Sequence, residues 1–266
     1  MSTPIFFRDP NLPFVETRAV NGTRACYDKH THASFSIGTV LNGQAKYWNR
    51  RAQVDTGRGS VVIINPEDVH ACNPEKDSAW AYRMLFIESD WLAALQREMG
   101  LSAQHDLHLF AQTASDDRAL YDDLNRLFET LWQPTEKLAK ESALVAFLMR
   151  LHEQFETDVM ALKSNHRLSQ AAEFIAAHCL DDIGLSDICQ ATHLSRSYLI
   201  RAFKQQYGMT PHAFLLNQRI AHAQGLLKKG DAIVNVAADC GFADQAHFQR
   251  VFKRHVAATP KQYISA

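Results

Sequence analysis

The last hundred residues carry one helical unit twice, at a fixed offset of 49. Arg201, Phe203, Lys204, Thr210 and Pro211 return as Arg250, Phe252, Lys253, Thr259 and Pro260. The surroundings keep the same offset: Ser195 with Asp244, Leu199 with Phe248, Phe214 with Tyr263, and Ile188 with Ala237. Repetition of one supersecondary unit constrains a fold before propensity does. Two copies are too few for a solenoid. They suit a pair of similar modules engaging a repetitive partner, and duplex DNA is such a partner.

Charge is divided unevenly along the 266 residues. Residues 1–164 carry 17 Lys+Arg against 22 Asp+Glu, whereas residues 165–266 carry 11 against 7, with seven histidines. A basic tail on an acidic body points to a polyanion partner for the tail alone. An excess this small also fits an ordinary solvated surface. The length allows two domains. Cys26, Cys72, Cys179, Cys189 and Cys240 are odd in number and irregular in spacing, which favours reduced thiols over a disulfide framework or cysteine zinc site. Residues 1–14 lack the pattern of a signal peptide, and no run of about 18 apolar residues suggests a membrane span. The expected setting is the cytoplasm.

Residues 14–88 read as short strands. Phe35–Leu41, Val61–Ile64 and Trp80–Ile87 are apolar runs punctuated by Gly22, Asn42-Gly43, Gly57, Gly59 and Asn65-Pro66. Such spacing suggests a sandwich or barrel. Asp90 is placed to cap a helix that runs to Met99 and ends at Gly100. From Asp116 the period becomes helical. Leu120, Leu124, Leu127, Phe128 and Leu131 form one stripe. After Pro134, a second comprises Leu138, Leu144, Phe147, Leu148, Leu151 and Phe155. This hairpin either covers the barrel or forms a dimer seam. Residues 158–167 read as a polar linker, followed by short helices at 168–179, 185–192, 196–207, 211–229, 233–239, 244–255 and 260–264.

Each repeated unit is a short helix, a tight turn and a longer helix, the plan in which the second helix enters the major groove. Ser195 and Asp244 are positioned as caps, and Gly241 sits where the second turn needs a left-handed residue. In the first long helix Leu199, Ala202 and Phe203 face the core, and Ser197, Ile200, Arg201 and Lys204 face away. In the second, Phe248, Val251 and Phe252 face inward. Ala246, Gln249, Arg250 and Lys253 face out, with Gln245 and His247 at the N-terminal end. Arg and Gln can make paired hydrogen bonds to base edges. Arg196, Lys204, Lys253 and Arg254 suit phosphates, which position a protein without reading sequence. A connecting helix over 211–229 spans roughly 28 Å, and neighbouring major-groove segments lie about 34 Å apart. The same pattern on both copies argues against a merely solvated face.

The stretch Val236-Ala237 through Gly241-Phe242, Phe248-x-Arg250-x-Phe252-Lys253, Thr259-Pro260 and Tyr263 resembles the C-terminal domain of the AraC/XylS family of bacterial transcription regulators. The likeness covers about 168–264. It implies base contacts from Ser197, Ile200 and Arg201 in the first unit and from Gln245, His247, Gln249 and Arg250 in the second. It also implies promoter DNA and RNA polymerase as partners. Ala257 departs from the pattern, because the family usually has Gly after the second reading helix; Gly208 keeps it in the first copy.

His30-x-His32, followed after a hairpin by Pro66-x-x-x-His70, resembles a cupin barrel, a domain that many members of that family use as effector sensor. In cupin enzymes such histidines bind a divalent metal together with a Glu. Here that position holds Ser36, a poor replacement for a carboxylate. His30, His32, Ser34 and Ser36 share one strand parity, and Trp80, Tyr82, Met84 and Phe86 another. With both faces inward they make an aromatic pocket with a few polar groups, suited to a small molecule. Three readings stay open: an effector pocket, a packed barrel with hydrogen-bonded histidines, and a three-histidine metal site.

The expected architecture is multi-domain α and β. A cupin-like jelly-roll barrel occupies 1–110, with a helical hairpin over 111–157 for dimerisation or signal relay. A linker follows at 158–167. An all-α domain with two helix-turn-helix units joined by a long helix occupies 168–266. The expected function is sequence-specific regulation of transcription, as an activator and homodimer, under a small-molecule effector held by His30, His32, Ser36, His70, Trp80 and Tyr82. No cofactor, metal or catalytic residue is assigned. The rival reading is a cupin metalloenzyme carrying a nucleic-acid-binding module.

Overall fold

The computed structural model describes residues 4–50, 52–75, 78–101, 107–134, 136–155, 157–158 and 166–265. The linker expected at 158–167 falls mostly outside them. The elements are β1 (Ile5–Arg8), β2 (Val15–Thr23), β3 (Phe35–Asn42), β4 (Gln44–Asn49), β5 (Ala52–Gly57), β6 (Val61–Ile64), β7 (His70–Pro74), β8 (Trp80–Ile87), α1 (Ser89–Glu98), β9 (Leu109–Phe110), β10 (Ala114–Ser115), α2 (Arg118–Trp132), α3 (Lys137–Gln154) and β11 (Thr157–Asp158). The second half adds α4 (His166–Ala177), α5 (Leu185–Thr192), α6 (Arg196–Tyr207), α7 (Pro211–Lys229), α8 (Ile233–Asp239), α9 (Gln245–Val256) and α10 (Pro260–Ile264).

The N-terminal strands form two antiparallel sheets, ordered β1-β2-β8-β3-β6-β10 and β5-β4-β7. They face each other like a jelly roll, but the barrel is not closed. Among the described residues one isolated bridge, His30 with His70, joins the segment before β3 to the small sheet. The pairings Val20 with Tyr82, Arg18 with Met84 and Gly38 with Met84 set the register of the large sheet. With period two, that register puts Arg18, Val20, Gly38, Val40, Tyr82 and Met84 on the face toward the small sheet. The opposite face carries Val15, Phe35, Ile37, Val61, Ile63, Leu85 and Ile87. These pack in one cluster with Leu92 of α1, with Leu120, Leu124, Leu127, Phe128 and Leu131 of α2, and with Leu144, Phe147, Leu148 and Leu151 of α3.

Both helical stripes are therefore spent covering the sheet. Leu138 is the exception. Its spacing predicts a place in the second stripe, yet it is 71% exposed in the first turn of α3. Helix α1 begins one residue before the expected cap, with Glu88 at the N-cap and Asp90 in the first turn. Gly100 ends it in the left-handed region.

In the C-terminal half, α5, α6, α7, α8 and α10 fall on the expected ranges, and α4 and α9 are displaced by one or two residues. Local chemistry explains the fit. Thr210 caps α7 ahead of Pro211, Asp244 caps α9 through the His247 amide at 2.6 Å, and Thr259 with Gln262 forms a capping box at α10. Ser195 occupies its N-cap position without a side-chain cap bond. Gly241 turns the second unit at φ +69°. Ala257 takes φ +50° after α9, where Gly208 takes +71° after α6.

The halves share apolar clusters. Phe6 of β1 packs with Phe252 and Tyr263 of the second unit. Val69 and Trp48 pack with Phe203 and Met209 of the first. A Cβ added to Gly208 would come within 2.8 Å of Trp48, so glycine permits this approach as well as the turn. Glu16 accepts from Arg8 and from Lys228 of α7, each at 2.8 Å.

Candidate functional site

Two regions gather the residues that carry chemistry: the outer faces of α6 and α9 and the space between the sheets. On α6, burial of Leu199 and Phe203 turns Arg196, Ser197, Ile200, Arg201 and Lys204 to solvent. On α9, burial of Phe248, Val251 and Phe252 exposes Gln245, Gln249, Arg250, Lys253 and Arg254. His247 is half-buried, its ring edge-on to Phe242. Ile200, at 43% exposure, is an apolar group on an otherwise polar face. Connecting helix α7 runs for 19 residues, or roughly 28 Å.

Between the sheets lies a space of about 550 Å³, part of it open to solvent. His30, His32, His70, Trp80 and Tyr82 line it, joined by Arg18, Tyr27, Cys72, Met84 and Phe86, with Val40, Val62 and Ile64 as apolar wall. Ser36 does not line it. It is fully buried behind His32, with its hydroxyl 3.3 Å from that ring's Nε2. His30 and His32 precede β3 instead of belonging to it, in an extended segment bridged to β7.

The three imidazoles are held alike. Each Nδ1 lies 2.8 Å from a backbone carbonyl: His30 from Asp28, His32 from Ser34 and His70 from Asp68. Those carbonyls can only accept, so Nδ1 carries the proton and Nε2 the lone pair. Burial pushes His30 down to about 3 and His32 to about 4, and holds His70 well below its ordinary value. The rings are neutral near pH 7. Burial likewise pushes the Cys72 thiol up to about 12. Among the described residues no group of three His, Cys, Asp or Glu side chains is arranged to hold a metal ion. The chemistry agrees, because Ser36 occupies the His32 lone pair and the Arg18 guanidinium shares the cavity.

The segment bearing His30 and His32 also touches the C-terminal half. Between the two histidines, the Thr31 amide donates to Asn217 Oδ1 of α7 at 3.0 Å, and Asn217 Nδ2 donates to Thr31 Oγ1 at 2.8 Å. Both residues are buried. The Asp28 amide donates to the Arg254 carbonyl of α9 at 3.0 Å. Lys29 lies over the Trp48 ring and close enough to Lys204 of α6 to be lowered by it, after burial. One short segment thus lines the pocket, hydrogen-bonds to α7 and α9, and lies within electrostatic reach of α6.

Sequence reasoning did not single out Arg18, Tyr27, Thr31 or Asn217. Nothing local marks them. Arg18 sits in a strand buried on both faces, and Asn217 is one polar residue on the buried side of a long helix.

Two family models match the chain: an AraC-like ligand binding domain over residues 15–152 and a helix-turn-helix domain over 188–266. An uncharacterised HTH-type transcriptional regulator of Bacillus subtilis, YbfI, is 27% identical over 90% of this chain and 87% of its own length. The regulator SACOL0084 of Staphylococcus aureus is 26% identical over 86% of this chain, which spans only 31% of that longer protein. Among solved structures, ToxT of Vibrio cholerae with an unsaturated fatty acid bound superposes with a TM-score of 0.59 at 16% identity, over 97% of this chain and 94% of that one. At that identity the likeness speaks for fold. The chain belongs to the AraC/XylS family of transcriptional regulators, with a ligand-binding domain in its first half and a helix-turn-helix DNA-binding domain in its second.

Proposed function

We propose that the chain is a cytoplasmic regulator that reads promoter DNA with α6 and α9 in successive major grooves, under control of a small molecule held between the sheets. Ser197, Ile200 and Arg201 face bases in one groove, and Gln245, His247, Gln249 and Arg250 face bases in the next. Arg196, Lys204, Lys253 and Arg254 meet phosphates. Arg201 and Arg250 supply the strongest readout, since an arginine fork can take both acceptors of a guanine. Ile200 can only touch a thymine methyl. The protein acts as a homodimer on paired sites and activates transcription through RNA polymerase. No catalysis is assigned to it.

One observation carries the coupling between effector and DNA. Residues 28–31 are hydrogen-bonded to α7 and α9 while His30 and His32 line the pocket. A ligand that displaces these rings must disturb the docking of the DNA-binding half. Control is then a shift between docked and undocked populations, and the effector must bind the two with different affinity to have any effect. The ToxT structure holding a fatty acid is in keeping with a small apolar ligand on this fold.

Selection of binding sites from random duplexes by the purified chain tests the proposal, followed by titration of the selected site with and without candidate metabolites. The expected outcome is enrichment of a site with two contacted segments about one helical turn apart, and an affinity that one metabolite class changes. No enrichment over random DNA would refute it.

A further inference from the structure

We infer that the cavity between the sheets is built for a monocarboxylate with an apolar body, gripped by Arg18 and Trp80. The inference rests on the sensor reading above and names its ligand class. Five buried side-chain polar atoms among the described residues have no hydrogen-bond partner, and three of them belong to this cavity: Arg18 Nε, Arg18 Nη2 and Trp80 Nε1. All three are donors. Buried donors are nearly always satisfied, so a cluster of orphans in one cavity marks where a ligand brings acceptors.

The pair on Arg18 has a shape. Nε and Nη2 lie on one edge of the guanidinium, where their N–H bonds run parallel. That edge takes the two oxygens of a carboxylate side by side. Arg18 itself is only 6% exposed. Glu16 acts on it electrostatically, but that carboxylate already accepts from Arg8 and Lys228. Arg18 is flanked by the rings of Phe6, Tyr27 and Tyr82, with its central carbon 5.1, 5.4 and 5.7 Å from their centroids. Aromatic faces soften a buried cation without offering it an anion.

The rest of the cavity selects against other ligands. The histidines are neutral and the Tyr27 and Tyr82 hydroxyls bond to each other, so neither competes for the cation. Val40, Val62, Ile64, Met84 and Phe86 leave most of the wall apolar. A sugar would leave its hydroxyls without partners there, and a phosphate dianion would find one cation for two charges. A carboxylate head with a hydrocarbon or aromatic body matches both parts.

The experiment is a thermal-shift and calorimetric titration of the full chain. The probes are butanoate, hexanoate, octanoate, benzoate and phenylacetate, each beside its primary amide, with inorganic phosphate and neutral sugars alongside. At least one carboxylate should raise the melting midpoint by several degrees near a hundred times its dissociation constant, roughly the saturation at which ligation is readily seen. Its amide and phosphate should not. Arg18→Gln should melt at or above the parent, because it removes an unpaired buried charge, and should bind the carboxylate about tenfold to a hundredfold more weakly. Trp80→Phe, a milder change, should weaken it about fivefold. Three results overturn the carboxylate assignment: equal binding of amide and acid, equal response to phosphate, or undiminished binding by Arg18→Gln. A shift with neutral sugars alone also overturns it but leaves the sensor reading standing. Silence from every class sinks both.

Discussion

Replacing Asn217 by Ala isolates the contact through which the pocket meets the DNA-binding half. In the docked arrangement Asn217 makes two hydrogen bonds to Thr31, at 3.0 and 2.8 Å, between residues that are 4% and 6% exposed. Undocked, both residues hydrogen-bond to water. Each of the two bonds contributes about 1 kcal/mol net. The substitution should therefore weaken docking by about 2 kcal/mol, a factor of about thirty in the docked-to-undocked ratio. Hydrogen exchange at the Asp28 amide reads this, because its bond to the Arg254 carbonyl joins the same two halves and survives the substitution. Exchange should quicken by about the same thirtyfold. DNA affinity measured without effector should move toward the effector-bound value. If exchange across 27–35 and effector-free DNA affinity both stay unchanged in Asn217→Ala, the Thr31–Asn217 pair does not hold the halves together and the proposed relay fails.

Arg201→Ala and Arg250→Ala should each cost about 1–3 kcal/mol on the selected site and relax preference at the contacted base. Lys204→Ala and Lys253→Ala should weaken selected and random duplexes alike and lower the salt slope by about one, read by anisotropy titrations over a salt series. Ala257→Gly should stabilise the second unit by about 1 kcal/mol, since Ala257 occupies a left-handed conformation at φ +50°; a lower unfolding midpoint in urea would contradict this. The buried histidines set a pH limit. Their folded-state values, about 3 for His30 and about 4 for His32, lie below the unfolded value, so the unfolded chain binds protons first as pH falls. Stability should be full above about pH 6.5 and fall below it, by about 2 kcal/mol per ring at pH 5. A melting midpoint that holds constant from pH 7 to pH 5 would disprove it.

The C-terminal half was legible because its signals are local. Caps at Thr210, Asp244 and Thr259, a Pro at the start of α7 and glycine in the Gly241 turn each act within a few residues. The apolar period then fixes which side of α6 and α9 faces out. In the N-terminal half, strand runs such as Val61–Ile64 stood out, but pairing did not. Which face of β2 meets the cavity depends on its register with β8, a relation between residues some 66 positions apart, as in Arg18 with Met84. Arg18 therefore looked like any strand arginine. Ser36 shares the parity of His32, yet it ended behind that ring, because the chain leaves strand geometry between them. The docking of the halves had no sequence signal, since Thr31 and Asn217 are 186 residues apart. Leu138 misled for a simpler reason: an apolar side chain in the first turn of a helix need not share the stripe that follows.

The placement of residues 27–32 has a consequence for changing what such a protein recognises. Tyr27, His30 and His32 form one wall of the cavity, and their neighbours Asp28 and Thr31 hold the DNA-binding half. A new specificity built on that wall inherits altered basal output, because wall and fastener are one piece of chain. The opposite wall carries no such obligation: Val62 and Ile64 of β6 and Met84 and Phe86 of β8 belong to the sheet, with α1, α2 and α3 on its far side. Variation that retunes the ligand while keeping the response intact should accumulate on β6 and β8. Variation that retunes the response while keeping the ligand should accumulate at 28–31.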